Sequence, residues 1–231
     1  MIESITIYED DDILLIDKPS GTVVNRSETT KSTTIQDYIQ AKYNLDQKVY
    51  QDDEFISRSG IVHRLDKDTS GILAIAKNPE SFAFLKNQFK QKEVEKEYIA
   101  IVLGKVEDKF FEVDAPIKRD IYNRLKMSIN SDGRAAFTSF ETVEVKGIND
   151  VTVTKIFARP KTGRMHQIRV HLLAINHPVM SDPIYMTRQQ LLISKSIFNR
   201  LMLHAYRVKF MHPKSKKEVM FEANIPQAFN I

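Results

Sequence analysis

The sequence of 231 residues contains no cysteine. Disulfide bonds, zinc–thiolate centres, iron–sulfur clusters and cysteine nucleophiles are therefore excluded. Its apolar runs are far shorter than the roughly 18 residues that a membrane-spanning helix needs. The first twelve residues also lack the basic start and apolar stretch of a signal peptide. These absences predict a cytoplasmic protein with no membrane partner.

Several common catalytic and cofactor motifs are missing as well. The patterns GxGxxG, GxxxxGK[ST] and GxSxG do not occur, so no standard dinucleotide site, P-loop or hydrolase elbow is visible. His166 and His171 are five positions apart, a spacing that does not place both on one helix face. We therefore expect neither a metal nor a cofactor.

The bulk composition is that of an ordinary globular protein, with 42% hydrophobic and 28% charged residues. The net charge of +4 and the pI of about 9.0 are mildly basic. Either a solvated surface rich in lysine or a polyanionic partner accounts for this balance. Because no repeat or change of composition divides the chain, residues 1–231 are expected to form one domain, and a monomer is the default.

Strands outnumber helices in the periodicity of the sequence. Apolar or alternating segments predict strands at 12–16, 71–77, 98–103, 137–145, 151–157 and 206–210. Helices are predicted from 35 to 43, after Asn78-Pro79-Glu80, from a cap at Thr162 and over 187–200, with loops at 27–34 and 51–60. Because most strands follow one another without a helix between them, the pattern favours an α+β fold with a largely antiparallel or mixed sheet.

One polar segment stands out directly before a hydrophobic strand. Residues 63–71 read HRLDKDTSG and place Asp66 two positions after Arg64. A carboxylate kept ionised beside a cation can act as a covalent nucleophile. A solvated turn with a polar cap is the alternative interpretation.

Two further segments carry polar groups where a core pattern would not. Residues 161–171 hold two arginines and two histidines, which suits either a basic helix face or contacts to phosphate and carboxylate groups. Tyr98 follows Lys96-Glu97 at the start of a predicted strand. It is either a half-exposed strand residue or a stacking platform for a base.

Together, these segments resemble the RluA family of pseudouridine synthases. The segment HRLDKDTSG fits the family signature HRLDxxTSG at every fixed position, and KEYIAIV and TGRMHQIRVHLLAINHPVMSDPIY resemble the second and third motifs. The stretches DILLIDKPSG, RLKMSINSDGRAAFT and LMLHA fit the same pattern. The resemblance runs from about residue 7 to residue 225, which is nearly the whole chain.

The resemblance implies a fold and an activity. The fold is the pseudouridine synthase fold, a mixed and mostly antiparallel bent β-sheet flanked by helices and loops, with an active-site cleft across the sheet. The activity breaks the bond from ribose C1′ to uracil N1 in RNA and joins C1′ to C5, with no cofactor or metal. The implied substrate is ribosomal or transfer RNA, and no DNA partner is expected.

The resemblance also implies roles for individual residues. Asp66 matches the essential aspartate, and Arg169 matches the arginine that pairs with it. Tyr98 matches the tyrosine that stacks on the flipped uracil, and Arg64 matches the arginine that fills the space left by the extruded nucleotide. Further candidate substrate contacts are His63, Arg164, His166 and Leu203.

The sequence departs from the family pattern in the loop after the third motif. Ser181 stands where a glycine usually precedes Asp182, and Met186 stands where a glycine usually follows Tyr185. These departures put the local turn geometry in question but spare the catalytic positions. No S4-type RNA-binding domain is expected, because residues 1–10 lead directly into the first strand.

Two other functions fit parts of the pattern. Asp66 and Asp68 could serve as the carboxylate pair of a glycoside or nucleoside hydrolase. The same fold could also act as a non-catalytic RNA-binding module. The combination of Asp66, Tyr98 and Arg169 favours the synthase over both.

Overall fold

The computed structural model describes residues 3–28, 30–43 and 52–231. The chain divides into two compact units, each described here by itself. The first unit comprises Met1–Val94 and Arg207–Asn224, and the second comprises Glu95–Tyr206 and Ile225–Ile231. One catalytic domain over 1–231 remains a prediction.

Within its described residues, the first unit contains a three-stranded antiparallel sheet, a hairpin and three α-helices. In chain order its elements are β1 (Thr6–Glu9), β2 (Ile13–Lys18), α1 (Ile35–Tyr43), α2 (Asp53–Arg58), β3 (Ser70–Ala76) and α3 (Pro79–Gln91). Strand β2 pairs with β1 and, from Ile13↔Ala76 to Lys18↔Gly71, with β3. Strand β3 is buried along its whole length, which explains its nearly continuous apolar sequence.

The second unit is built on four antiparallel strands in the order β4–β9–β8–β5. Its elements are β4 (Glu95–Leu103), β5 (Phe110–Asp114), β6 (Ile117–Arg119), β7 (Met127–Ile129), β8 (Phe137–Ile148), β9 (Val151–Pro160), α4 (Gln167–Ala174) and α5 (Arg188–Ile197). Strands β6 and β7 form a separate hairpin. Strand β10 (Leu203–Met211) begins in the second unit and ends in the first. Strand β11 (Glu218–Glu222) belongs to the first unit and pairs with the end of β10.

Local sequence signals explain where helix α3 begins and ends. Asn78 caps α3 by accepting a hydrogen bond of 2.8 Å from the Ser81 N–H, and Pro79 occupies the first turn. Phe82 and Leu85 are buried along one face. Lys92 ends the helix in the left-handed conformation, with φ +63°.

Two local predictions were wrong. Residues 51–60 were predicted to be a loop, but Asp52 caps the helix α2, and Phe55 anchors it as a fully buried side chain. A single apolar anchor in a polar segment leaves no periodicity to detect. Helix α4 begins at Gln167 and not near Thr162, because His166 adopts a left-handed conformation with φ +57°.

The predicted α+β class and the mostly antiparallel pairing are confirmed. Short strands such as β5, β7 and β11 were missed, since each has only three to five residues. The bend of the sheet and a cleft across it remain predictions. Among the described residues, no helix is long and apolar enough to cross a membrane.

Candidate active site

Asp66 lies in a tight turn directly before β3 in the first unit. The Thr69 N–H donates a hydrogen bond of 3.2 Å to the Asp66 carbonyl and closes the turn. Leu65 and Thr69 are buried on either side, whereas Asp66 itself is half-buried. The buried side chains of Leu65 and Thr69 therefore anchor the turn, and Asp66 occupies its first position.

A loop from the end of β2 holds this turn through main-chain atoms. The ammonium of Lys18 is fully buried and donates to three carbonyls, those of Pro19, Thr22 and Lys67, at 2.9, 2.9 and 3.0 Å. The Gly21 N–H donates to the same Lys67 carbonyl at 2.9 Å. These bonds fix the backbone one residue after Asp66.

Two further features complete this loop. The Ser20 hydroxyl donates a hydrogen bond of 2.6 Å to the Asp68 carbonyl. Gly21 has φ +85°, a conformation that side-chain-bearing residues rarely adopt. Sequence analysis placed this stretch in the family pattern DILLIDKPSG but did not predict that it supports the Asp66 turn. The available signal was a lysine in the last position of a buried, largely apolar strand.

The two predicted substrate contacts in the same motif, His63 and Arg64, differ in their surroundings. His63 stacks on Phe89, with ring centroids 4.5 Å apart, and its Nε2 accepts the Ala74 N–H at 2.9 Å. His63 thus supports strand β3. Arg64 is exposed. Contacts of either residue with RNA remain predictions.

In the second unit, Gln167 connects the start of the third motif to strand β8. Its Oε1 accepts hydrogen bonds from the Thr162 hydroxyl at 2.7 Å and the Arg164 N–H at 3.0 Å. Its Nε2 donates to the Phe137 carbonyl and the Thr138 hydroxyl at 2.9 and 3.0 Å. All four bonding positions of this buried amide are therefore used, which fixes the loop before α4.

Arg169 forms a buried, bidentate ion pair with Asp182. Its Nε and Nη2 donate to the two carboxylate oxygens at 2.7 and 2.8 Å, and the two side chains are 2% and 0% exposed. Asp182 also accepts the N–H groups of Ile184 and Tyr185 at 2.9 and 3.2 Å. A forked pair of this kind fixes the guanidinium plane.

Asp182 is a supporting residue that sequence reasoning did not assign. Its signal was a carboxylate 13 positions after the arginine within the same motif. The predicted pairing of Arg169 with Asp66 joins residues of the two units and remains a prediction.

Tyr185 connects His166 to the ion pair of Arg169 with Asp182. Its hydroxyl lies 2.9 Å from His166 Nδ1 and accepts the Met127 N–H at 2.8 Å. The Arg169 guanidinium lies 5.1 Å from the Tyr185 ring centroid, a distance typical of a cation–π contact. The second unit thus brings His166 and Arg169 together around one tyrosine, and the buried His166 supports the loop before α4.

His171 is a structural residue. Its Nδ1 lies 3.0 Å from the Thr138 hydroxyl, and its Nε2 lies 3.1 Å from the Ala115 carbonyl. Burial lowers the pKa of His171, which favours the neutral ring. Because a carbonyl only accepts, Nε2 carries the proton. Among the described residues, no group of three His, Asp or Glu side chains is arranged to hold a metal ion.

Tyr98 is half-buried on strand β4, opposite Ala158 of β9. Two positions earlier on the same face of the strand, Lys96 is also half-buried, and burial lowers the pKa of its ammonium to about 8. No carboxylate pairs with Lys96 in the part of the chain that the structure describes. On the opposite face, Glu97 accepts a hydrogen bond of 2.6 Å from Arg159.

The other predicted contacts of the second unit have separate surroundings. Arg164 donates a hydrogen bond of 3.1 Å to the Ala135 carbonyl. Burial and the nearby charge of Arg134 lower the pKa of Arg164. Leu203 is 3% exposed and belongs to the hydrophobic core. Their roles toward RNA remain predictions.

The two departures from the family pattern are accommodated locally. Ser181 has φ +56°, and its hydroxyl donates to the Phe198 carbonyl at 2.6 Å while its N–H donates to the Ser194 hydroxyl at 2.6 Å. Met186 is 8% exposed and packs in the core. The turn around Asp182 is therefore built without either glycine.

Comparisons with known proteins are consistent with this arrangement. The family model described as RNA pseudouridylate synthase matches residues 12–174. "Ribosomal large subunit pseudouridine synthase D" of Nitrosomonas europaea is 37% identical over 95% of this chain, and the chain spans 61% of that protein's length. "Uncharacterized RNA pseudouridine synthase YlyB" of Bacillus subtilis is 37% identical over 95% of this chain and 68% of that protein.

Solved structures support the same assignment. "Human RNA Pseudouridylate Synthase Domain Containing 1" superposes with a TM-score of 0.75 at 25% identity, over 96% of this chain and 83% of that one. "Human RNA Pseudouridylate Synthase Domain Containing 4" superposes with a TM-score of 0.72 at 20% identity, over 99% of this chain and 91% of that one. This likeness supports the fold alone. The predicted family and fold are thus confirmed, and the chain belongs to the RluA-type RNA pseudouridylate synthases.

Proposed function

We propose that this chain isomerises uridine in RNA to pseudouridine, with Asp66 as its catalytic carboxylate. The observation that supports this most directly is the clamped turn at residues 66–69. The complete motif HRLDKDTSG forms it, and the buried Lys18 ammonium and the Gly21 N–H hold the Lys67 carbonyl. Family membership supplies the reaction, and the turn supplies a positioned carboxylate.

The proposed reaction needs no oxidant, reductant or net water. The C1′–N1 bond breaks, the base rotates, C1′ joins C5, the proton on C5 leaves and N1 gains a proton. Asp66 attacks C1′, attacks C6 or stabilises a glycal-like intermediate, and in each route it acts as an anion beside the glycosidic bond.

Tyr98 and Arg169 of the second unit and Arg64 of the first take the remaining roles. Tyr98 stacks on the flipped uracil and assists removal of the C5 proton, and Arg169 supplies the cation opposite Asp66. The Asp182 pair limits how far the Arg169 guanidinium can rotate. Arg64 fills the space left by the flipped nucleotide, whose extrusion costs a few kcal/mol.

Ribosomal RNA is the substrate to test first. Relatives named for the ribosomal large subunit align with almost the whole of this chain, and transfer RNA is the second candidate. We propose a monomeric protein that acts in the cytoplasm, where these RNAs are found, with no membrane or DNA partner.

The test uses purified protein and unmodified total RNA from a strain that lacks the gene. Pseudouridine is mapped by carbodiimide labelling and primer extension. We expect new stops with the wild-type protein and their loss, at least about 10³-fold in rate, with Asp66→Asn. Pseudouridine formed by Asp66→Asn at the wild-type rate would contradict the assignment.

Asp68→Asn is the matched control, because it changes a carboxylate of the same turn whose contact with Ser20 uses only the main chain. We expect it to keep nearly full activity. A hydrolase that uses both aspartates would lose activity in either variant and would release free base. A binding module would bind RNA and form no pseudouridine in any variant.

A further inference from the structure

Tyr185 contacts the Arg169 guanidinium with its aromatic ring. Both residues are buried, at 6% and 2% exposure, and the guanidinium carbon lies 5.1 Å from the ring centroid. Asp182 holds the same guanidinium through Nε and Nη2. The forked pair acts on two nitrogens within the guanidinium plane, whereas the attraction to a ring acts on the whole cation and is directed toward the ring face. Tyr185 is therefore a second restraint on Arg169.

Tyr185 is itself fixed at both ends. Its main-chain N–H donates to the Asp182 carboxylate at 3.2 Å. At the other end, its hydroxyl accepts the Met127 N–H at 2.8 Å and lies 2.9 Å from His166 Nδ1. The His166 ring packs edge-on against the tyrosine ring, with centroids 5.6 Å apart and an interplanar angle of 89°. Because the main chain and the hydroxyl are both bonded, the ring cannot swing away from Arg169.

A purely structural role accounts for only part of this arrangement. Tyr185 packs with Ile117, Ala136 and Val170 in a small hydrophobic cluster, and a buried tyrosine usually bonds its hydroxyl. The buried cation over its ring is different, because taking an ion pair out of water costs free energy that apolar side chains of similar volume avoid. Such a cost, at an arginine with a proposed role in the reaction, indicates that the position of the cation matters.

We propose that Tyr185 is a positioning residue for the isomerisation, whose ring holds the Arg169 guanidinium in the orientation that the reaction needs. The ring performs this task, and the hydroxyl holds the ring in place. The inference rests on the proposed function, because a restraint on Arg169 affects the rate only if Arg169 acts in the reaction.

Single-turnover kinetics test this role. RNA labelled with tritium at uracil C5 releases the label when C5 loses its proton, and saturating protein separates this rate from RNA affinity. Tyr185→Leu should lower the rate about 5- to 30-fold and change the affinity for RNA less than about 3-fold, since it removes a desolvated cation–π contact from a buried position. Tyr185→Phe keeps the ring, so it should recover most of the rate, although loss of the hydroxyl bonds lowers its melting temperature.

A double-mutant cycle shows whether Tyr185 acts through Arg169. In an Arg169→Ala background the ring has no cation to hold, so the further change Tyr185→Leu should alter the rate less than about 2-fold. A tyrosine that only supports the fold would lower the rate by the same factor in both backgrounds.

Phe229→Leu is the matched control elsewhere in the second unit. Phe229 is fully buried, and the Arg200 guanidinium lies 5.7 Å from its ring centroid. The variant should lower the melting temperature and leave the rate per folded molecule within about 2-fold. A fall equal to that of Tyr185→Leu would show a general effect of packing and overturn the inference. If Tyr185→Leu does not fold, Tyr185→Met takes its place, because it also removes the ring and keeps an apolar side chain.

Three further results would overturn the inference: a wild-type rate in folded Tyr185→Leu, an equal loss for this change in the Arg169→Ala background, or a Tyr185→Phe rate as low as that of Tyr185→Leu, which would assign the role to the hydroxyl. The proposed function fails in a different way. Wild-type protein that releases no tritium and forms no pseudouridine, or Arg169→Ala protein that works at the wild-type rate, would overturn the role of Arg169 and this inference together.

Discussion

The turn with Asp66 and the segment with Arg169 are positioned by different kinds of bonds. The turn is held through main-chain carbonyls, bound by Lys18, Ser20 and the Gly21 N–H. The segment 162–185 is held through side chains, chiefly the amide of Gln167 and the pair of Arg169 with Asp182.

This difference explains which positions each motif specifies. The bonds to the Asp66 turn use the carbonyls of Lys67 and Asp68 and not their side chains. These two residues are the unspecified positions of the HRLDxxTSG signature. In the second segment the supporting groups are themselves side chains, so Gln167 and Arg169 cannot change without loss of their bonds. The variants below test this contrast, from the largest expected effect to the smallest.

The buried ion pair should give the largest change. Asp182→Asn leaves the Arg169 guanidinium charged and without its carboxylate partner, so we expect the free energy of unfolding to fall by about 3–5 kcal/mol. Urea unfolding measures this. Glu107→Gln, which removes an exposed pair with Lys105, is the control and should change stability little. Equal effects of the two variants would contradict the importance of burial.

Substitutions of the residues that hold the Asp66 turn should have the next largest effect. Lys18→Met removes three hydrogen bonds from a fully buried ammonium and leaves the Pro19 and Thr22 carbonyls without that donor. We therefore expect the free energy of unfolding to fall by about 2–4 kcal/mol and pseudouridine formation to fall strongly. Ser20→Ala removes one bond to the same turn and should cost about 1 kcal/mol. Wild-type activity in folded Lys18→Met protein would show that the clamp does not position Asp66.

Lys96→Met should stabilise the protein at neutral pH. Burial lowers the pKa of Lys96 to about 8, against about 10.4 for an exposed lysine. Below pH 8 both states are protonated and the full cost of burying the ammonium is present. The variant should then gain about 1–3 kcal/mol.

The pH dependence of this gain provides the check. Between about pH 8 and 10.4 the unfolded state binds more protons, so wild-type stability rises with pH. The advantage of Lys96→Met should therefore shrink between pH 7 and 10 in urea unfolding. A constant difference across that range would mean that burial of the charge is not its cause.

The smallest effect is expected at Ser181. Ser181→Gly relieves a left-handed conformation but removes the bond to the Phe198 carbonyl, so the two effects nearly cancel and the net change stays within about 1 kcal/mol. Ser181→Ala keeps the strain and loses the bond, and should be less stable than Ser181→Gly. The reverse order, measured by thermal unfolding, would show that the positive φ of residue 181 does not destabilise a residue that carries a side chain.

Local sequence signals predicted much of the fold. Asn78 and Pro79 specified the start of α3, and the apolar runs predicted β2 and β3. The polar segment around Phe55 was misread, because a helix anchored by one side chain has no periodic pattern. The start of α4 was misplaced, because nothing local announces the positive φ of His166.

The sequence by itself determined the family, the α+β class and the identity of the candidate catalytic residues, since ordered motifs and local periodicity are properties of neighbouring positions. Only the tertiary structure decided that Lys18 binds a carbonyl 49 positions away and that Arg169 pairs with Asp182 in the interior. Those features depend on which distant groups share a dry or a solvated environment, and burial is set by the packing of the whole unit.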